Sequence, residues 1–590
     1  MLKYPNPKGR SSPGIARAVG VVGLTGWLVA VLWALGPLVF SSFGIADETR
    51  AERKQPRQYD LLIRNGMIYD GSGEAPFLGE VAVNGDIIAA VGPLPDATGR
   101  VELDAKGLAV APGFINMLSW ATESLLEDGR SQSDIRQGVT LEVMGEGHSM
   151  GPLTEAMKKE MLEGQGSIKY AIPWNTLGEY LEHLERRGIS TNVASFVGAT
   201  TVRIHVLGYQ RRAPNREELH RMQALVRQAM EEGAMGVGSA LIYVPGAYAT
   251  TEELIALAKV AAEYDGMYIS HIRNEGGRIL GALEEFIRIA RSASVRAEIY
   301  HLKVTGAANW HLLDDVIHKI EAARRDGLKI TANMYVYTAS ASSLDVLLPQ
   351  WVHAGGNKAF LARLRDPAVQ RRLRRQFSII QPEKIRPMNL KSQAFRPMAG
   401  RSLADMASLL GKSPEETLID ILLKEEGGVK MIRFSLSEDN IRRQIALPWI
   451  SFGSDGGSFA TEGVFLNFET HPRGFGNFAR LLGRYVREEK VIPLEEAIRR
   501  LTSLPADNLR LDRRGYLREG FFADIVIFDP EKIQDHATFE EPRQYATGVT
   551  HVFVNGVQVL KDGEHTGAKP GRVVRGPGWK GRTGCVRSWK

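Results

Sequence analysis

Gly266-Met267-Tyr268-Ile269-Ser270-His271 and Ala297-Glu298-Ile299-Tyr300-His301 are two short strand-like runs that each end in histidine. A third, Pro448-Trp449-Ile450-Ser451-Phe452-Gly453-Ser454-Asp455, ends in an acid. Histidine or aspartate at the ends of successive strands is how a (β/α)8 barrel gathers functional groups at its C-terminal mouth. Neutral imidazoles with a carboxylate suit zinc, leaving a position open for water. The three runs predict an α/β chain with a TIM-like (β/α)8 barrel, and they point to a metal-dependent hydrolase.

The surrounding sequence extends this frame in both directions. Helical periodicity over Arg216 to Glu232, Thr251 to Tyr264 and Arg278 to Ala293 precedes strand-like runs, as a barrel requires. Further out, Tyr59-Asp60-Leu61-Leu62-Ile63-Arg64-Asn65-Gly66 alternates and then reaches Asn-Gly, a hairpin signal. Near the other end, residues 523–528 and 551–556 read as strands of the same kind. Strands, then alternation, then strands again predict a composite β-sandwich from residues 59–110 and 511–560, with the barrel at 111–510 between its halves. An irregular basic stretch at about 351–430 interrupts the alternation and is expected to be an insertion near the mouth.

Composition narrows the function classes. A chain of 590 residues with 44% hydrophobic residues can supply more than one core. The isoelectric point near 9.1 invites a nucleic-acid reading. The excess positive charge, however, sits in residues 1–46 and in a basic tail at 561–590, and what remains is mildly acidic. Nucleic-acid binding by the folded part is therefore not expected. Cys585 is the one cysteine, so no disulfide within the chain and no cysteine-built metal site can form. Within residues 1–46 a positive stretch precedes an apolar segment from about Ala18 to Phe40, read as a cleaved signal peptide or a retained membrane anchor. Either implies an exported, periplasmic or membrane-anchored protein. The sequence leaves the oligomeric state open.

Several strings occur in order across residues 59 to about 575: Val110-Ala111-Pro112-Gly113-Phe114-Ile115, Leu241-Ile242-Tyr243-Val244-Pro245-Gly246-Ala247, His271-Ile272-Arg273-Asn274-Glu275-Gly276, His301-Leu302-Lys303, Gly453-Ser454-Asp455-Gly456 and His471-Pro472-Arg473. With them the chain resembles the D-aminoacylase branch, the N-acyl-D-amino-acid deacylases, of the metal-dependent amidohydrolase superfamily. The resemblance implies a small-molecule amide substrate, an N-acyl amino acid of D configuration, cleaved by a zinc-activated water. It implies that His271 and His301 bind the metal and that Asp455 takes the proton of the water and passes it to the leaving nitrogen. It also implies that Lys303 holds the substrate carboxylate, with Tyr243 and Tyr335 near the substrate pocket.

Two departures from the family pattern stand out. After Pro-Gly-Phe-Ile the family has Asp-x-His-x-His, which holds a second metal; here the segment is Asn116-Met117-Leu118-Ser119-Trp120. Leucine and tryptophan cannot ligate a metal, so one zinc per chain is expected. The family's bridging cysteine is also missing. Glu146, between Gly145 and Gly147, is the best candidate for the anionic ligand, with His148 as its rival. Glu, His and His form an ordinary zinc donor set, although manganese, iron or cobalt would accept the same donors.

Plainer roles remain open for these residues. Glu146 could bond only the amides of its turn, Asp455 could cap a helix, Lys303 could be a solvated cation, and both tyrosines could be barrel packing. Arg273 is expected to brace Glu275 or its loop, and His471 and Arg473 to make outer contacts. Two other functions stay in view: an amidohydrolase acting on another linear or cyclic amide or peptide, and a non-catalytic binding protein on the same barrel.

Overall fold

The structure, a computed structural model, describes residues 57–581. The signal or anchor segment expected within residues 1–46 lies outside the described residues. Among the described residues no helix is long and apolar enough to cross a membrane.

Eight parallel strands form the barrel. In order they are Phe114–Asn116, Val139–Met144, Asn192–Ser195 continued by Val197–Gly198, Gly236–Ala240, Met267–His271, Arg296–Ile299, Ile330–Met334 and Ile450–Phe452. The ring closes between the first and the last: Met117 N donates to Phe452 O at 3.2 Å, and Asp455 N to Leu118 O at 2.8 Å. The fifth strand, Met267–His271, is buried at every position. A parallel strand covered on both faces requires such a continuous run. The helices outside it carry their own start signals. Asn215 and Glu218 form a capping box on Arg216–Glu231, and Thr250 caps Thr251–Glu263. Leu283, Phe286, Ile289 and Ala290 place the apolar stripe of Ile279–Ala293 against the barrel.

The composite β-domain is, in hydrogen-bonding terms, one continuous nine-stranded sheet. Ala109–Pro112 from the amino-terminal half pairs antiparallel with Ile525–Phe528 from the other. Asn65-Gly66 is not the predicted hairpin turn. The strand Gln58–Ile68 runs straight through it, with a bulge between Ile63 and Gly66 and Asn65 at φ 56°. The residue that would turn a hairpin instead kinks one strand.

The insertion between the seventh and eighth strands begins earlier than expected. Its three-stranded antiparallel sheet takes in Ser340–Ser343, Ile385–Met388 and Lys430–Arg433, and Leu344, Phe360, Leu364, Leu418 and Met431 belong to a separate core. The basic tail packs through residue 580. Val574 N donates to Val193 O at 2.8 Å and Gly576 N to Gly233 O at 2.8 Å, along the amino-terminal ends of the third and fourth barrel strands.

Candidate metal centre

Glu146 follows the second barrel strand in a turn that only glycine neighbours permit. Gly145 and Gly147 have φ of +107° and +67°. A Cβ on Gly145 would lie 2.3 Å from Phe196 O, and one on Gly147 2.6 Å from Ala240 Cβ. This tight passage delivers the Glu146 carboxylate, 3% exposed, to the mouth. His271 closes the fifth strand, His301 follows the sixth, and Asp455 follows the eighth. His301 and Asp455 have φ of +33° and +49°. Such backbone costs on the order of 1–3 kcal/mol for a non-glycine residue and gathers at functional sites. Asn333 Oδ1 holds the His301 amide at 2.8 Å.

Glu146 Oε1 lies 2.8 Å from His271 Nδ1 and 2.9 Å from His301 Nε2, and the two imidazoles meet edge to face at 4.3 Å. One donor atom from each of the three residues lies within 4.8 Å of the others. One carboxylate oxygen and two imidazole nitrogens, converging and buried, fit a divalent cation of the zinc type. The outer ring nitrogens, His271 Nε2 and His301 Nδ1, stand 3.3 and 3.4 Å from Glu275 Oε1. Glu275 thus stands behind both imidazoles without a formed hydrogen bond to His271 Nε2, and Lys303 Nζ approaches His301 Nδ1 at 2.6 Å. Glu275 in turn pairs with Lys303 Nζ at 2.7 Å.

The charges in this cluster set one another. Burial alone would raise both carboxyls. His301 and His271 hold Glu146 well below the usual range, and Lys303 with the imidazoles does the same for Glu275. Burial and Lys303 push His301 down, but Glu146 and Glu275 outweigh them and raise it to about 9. A metal ion and a proton therefore compete for this imidazole.

Asp455 is anchored from two sides. Its Oδ2 lies 2.7 Å from Arg473 Nη1, and its Oδ1 accepts from Trp120 Nε1 at 3.1 Å. The same indole N–H lies 3.0 Å from Glu146 Oε2. Tyr335 sits between two cations, with Lys303 Nζ 5.6 Å and the Arg473 guanidinium carbon 4.6 Å from its ring centre. Its buried hydroxyl has no hydrogen-bond partner among the described residues. Tyr243 packs edge-on against His271 at 5.5 Å. Burial keeps both phenols protonated.

All seven residues singled out from the sequence line one cavity of about 2070 Å³ between the barrel mouth and the insertion. His148 lines it too but lies outside the donor cluster. Arg273 braces its loop through Ala247 O and Ala249 O, and its carboxylate partner is Glu285, not Glu275. Lys303 is 7% exposed, which removes the solvated-cation reading. Two contributors were not foreseen as such, Glu275 behind both imidazoles and the Trp120 N–H, whereas Arg473 against Asp455 is an outer contact of the expected kind. For Glu275 the available signal was its position four residues after His271 in the same loop.

Residues 101–560 match the amidohydrolase family. The chain belongs to that family. Among its relatives is D-aminoacylase of Alcaligenes xylosoxydans xylosoxydans, 33% identical over 88% of this chain and 97% of that one. A structure of N-acyl-D-glutamate deacylase from Bordetella bronchiseptica, complexed with zinc and a phosphonate mimic of the tetrahedral intermediate, superposes with a TM-score of 0.74. It is 30% identical and covers 88% of this chain and all of that one. A D-aminoacylase structure with a TM-score of 0.73 and 32% identity, also covering 88% of this chain and all of that one, is described as having a binuclear metal centre with one-metal activation and second-metal attenuation. Within this amidohydrolase, Leu118 is buried in a barrel core cluster with Ile115, Phe196 and Tyr300. It offers the metal nothing.

Proposed function

We propose that this amidohydrolase cleaves the amide bond of N-acyl-D-amino acids at a single divalent metal, zinc in the first instance, held by Glu146, His271 and His301. The observation that carries the reading is the convergence of the two imidazoles on Glu146 Oε1, with Asp455 tied to the same carboxylate through Trp120. A cation held there by Glu146, His271 and His301 would polarise the amide carbonyl and make water acidic enough to lose a proton near neutral pH. Asp455 is the base that accepts that proton and then delivers it to the leaving nitrogen, giving a carboxylic acid and a free amine. Arg473 and Trp120 keep its carboxylate turned toward the Glu146 side of the mouth.

The substrate's α-carboxylate is assigned to the wall of Lys303, Tyr335 and Arg473. Two cations beside a phenol with an unused O–H are suited to an anion. Tyr243, packed edge-on against His271, lines the same cavity. The D configuration is supported by the relatives. A panel of N-acetyl-D- and N-acetyl-L-amino acids, read by amine release, tests the reading. Turnover of the D series by wild type and its loss in Asp455→Asn with metal retained is the expected result. Turnover of neither series sinks it.

The cavity favours one extension. At about 2070 Å³ it exceeds the roughly 300–1,000 Å³ of an ordinary small-ligand pocket. Substrates with a bulky acyl group or a peptide on the acyl side therefore fit, and belong in the same panel. The apolar segment in residues 18–40 supports an exported or membrane-anchored location. Fractionation of cells expressing the full chain tests it.

A further inference from the structure

Two carboxylates delivered from different strands to one buried point repel each other unless something positive or hydrogen-donating stands between them. Glu146 Oε2 and Asp455 Oδ1 are such a pair. What stands between them is the Trp120 indole, its one N–H shared at 3.0 and 3.1 Å. An indole nitrogen donates and has no lone pair to offer a metal. We infer that the Trp120 N–H occupies the place of a second cation and restricts this centre to one metal.

The placement of the indole is built in. Trp120 N donates to Gly456 O at 2.8 Å, Ser119 N to Val143 O at 2.9 Å, and Asp455 N to Leu118 O at 2.8 Å. The seam that closes the barrel therefore fixes the indole and its Asp455 partner together. Ser119 Oγ donates to Glu142 Oε2 at 2.6 Å, which holds the segment from below. Among the described residues, neither Leu118 nor Asn116 supplies the donor a second metal would need. Leu118 is 1% exposed in a hydrocarbon cluster. The Asn116 amide nitrogen is already engaged by Asp134 Oδ1 at 3.1 Å and Ser454 Oγ at 2.9 Å. The far edge of Trp120, 39% exposed, faces the cavity, so the position tolerates a change of side chain.

The inference rests on the metal-centre reading above and has a functional consequence. In D-aminoacylase one metal activates and a second attenuates. Here the place of the second is filled by a neutral donor that cannot be titrated away, so excess metal does not attenuate turnover.

Zinc stoichiometry of the full-length holoprotein decides the matter without reference to activity. Wild type, Trp120→His and Trp120→Phe are dialysed against rising zinc, and bound metal is counted by elemental analysis. Circular dichroism checks that each variant is folded. Wild type stays at one equivalent. Trp120→His offers an imidazole beside the two carboxylates and takes a second. Trp120→Phe, which merely uncovers the carboxylate pair, takes a weaker second equivalent. With cobalt in place of zinc, magnetic coupling between two ions appears only where a second equivalent binds. Two equivalents in wild type, or one in both folded variants, overturns the inference. If wild type turns over no amide, the functional proposal fails while the stoichiometry still decides this one.

Discussion

Arg473 places Nη1 2.7 Å from the Asp455 carboxylate, with both side chains almost wholly buried. Removing either partner leaves an uncompensated charge, which costs roughly 3–5 kcal/mol. Arg473→Ala is therefore expected to lower the denaturation midpoint markedly. Asp455→Asn keeps the shape but also leaves the Arg473 charge unpaired, so its midpoint should fall too. With the base lost, kcat should fall about 10²–10⁴-fold with metal content unchanged. Chemical denaturation and steady-state kinetics on the two variants separate these effects.

Glu146 joins the two imidazoles, so its loss should be felt first as loss of metal. Chelation of wild type is expected to lower Tm, and zinc to restore it. A ligand at a thousand times its Kd stabilises by about 4 kcal/mol. In Glu146→Ala the zinc-dependent rise in Tm should vanish. An undiminished rise would place the metal elsewhere.

Tyr335 buries a hydroxyl that bonds nothing among the described residues. Removing an unsatisfied buried group is neutral or stabilising, whereas a hydrogen bond to a charged ligand is worth about 1.5–3 kcal/mol. Tyr335→Phe should keep or raise Tm while KM for carboxylate-bearing substrates rises roughly 10- to 100-fold. An amide lacking the carboxylate should show no such change.

Asp134 and Glu142 lie buried beneath the Trp120 segment, and burial pushes both carboxyls up, with Glu142 raising Asp134 further. A carboxyl raised on folding favours the native state below its unfolded value and loses that advantage as pH climbs through its folded one. Stability should accordingly fall as pH rises from the ordinary carboxyl range through the raised folded values. Asp134→Asn, which cannot ionise, should flatten that fall in urea melts taken across the range.

The sequence disclosed what regular periodicity carries. His271 and His301 were legible because each ends an apolar run of strand length, and Glu146 because two glycines flank it. Glu275 was not, since a loop carboxylate has no periodic signature and its partners come from two strands. Trp120 was read only as a side chain that cannot ligate a metal, but its importance lies in a single N–H whose acceptors are 26 and 335 positions away. The packing of the tail was not legible for a related reason. Glycine, proline and basic residues suggest solvation, whereas Val574 is held by a backbone bond to Val193 that composition cannot reveal. At Asn65-Gly66 a sound turn signal was overruled by pairing of the same strand on both sides of the bulge.

The pairing of Ala109–Pro112 with Ile525–Phe528 sets a schedule on the ribosome. Roughly 400 residues must be made between the two partners, on the order of 20–80 s at about 5–20 residues per second. Through that interval the early strands have an open, apolar edge and no native neighbour to cover it. The nascent chain must therefore be shielded until its last strands emerge, and slowing its synthesis or depleting holdase chaperones would send it toward aggregates rather than toward a half-built barrel.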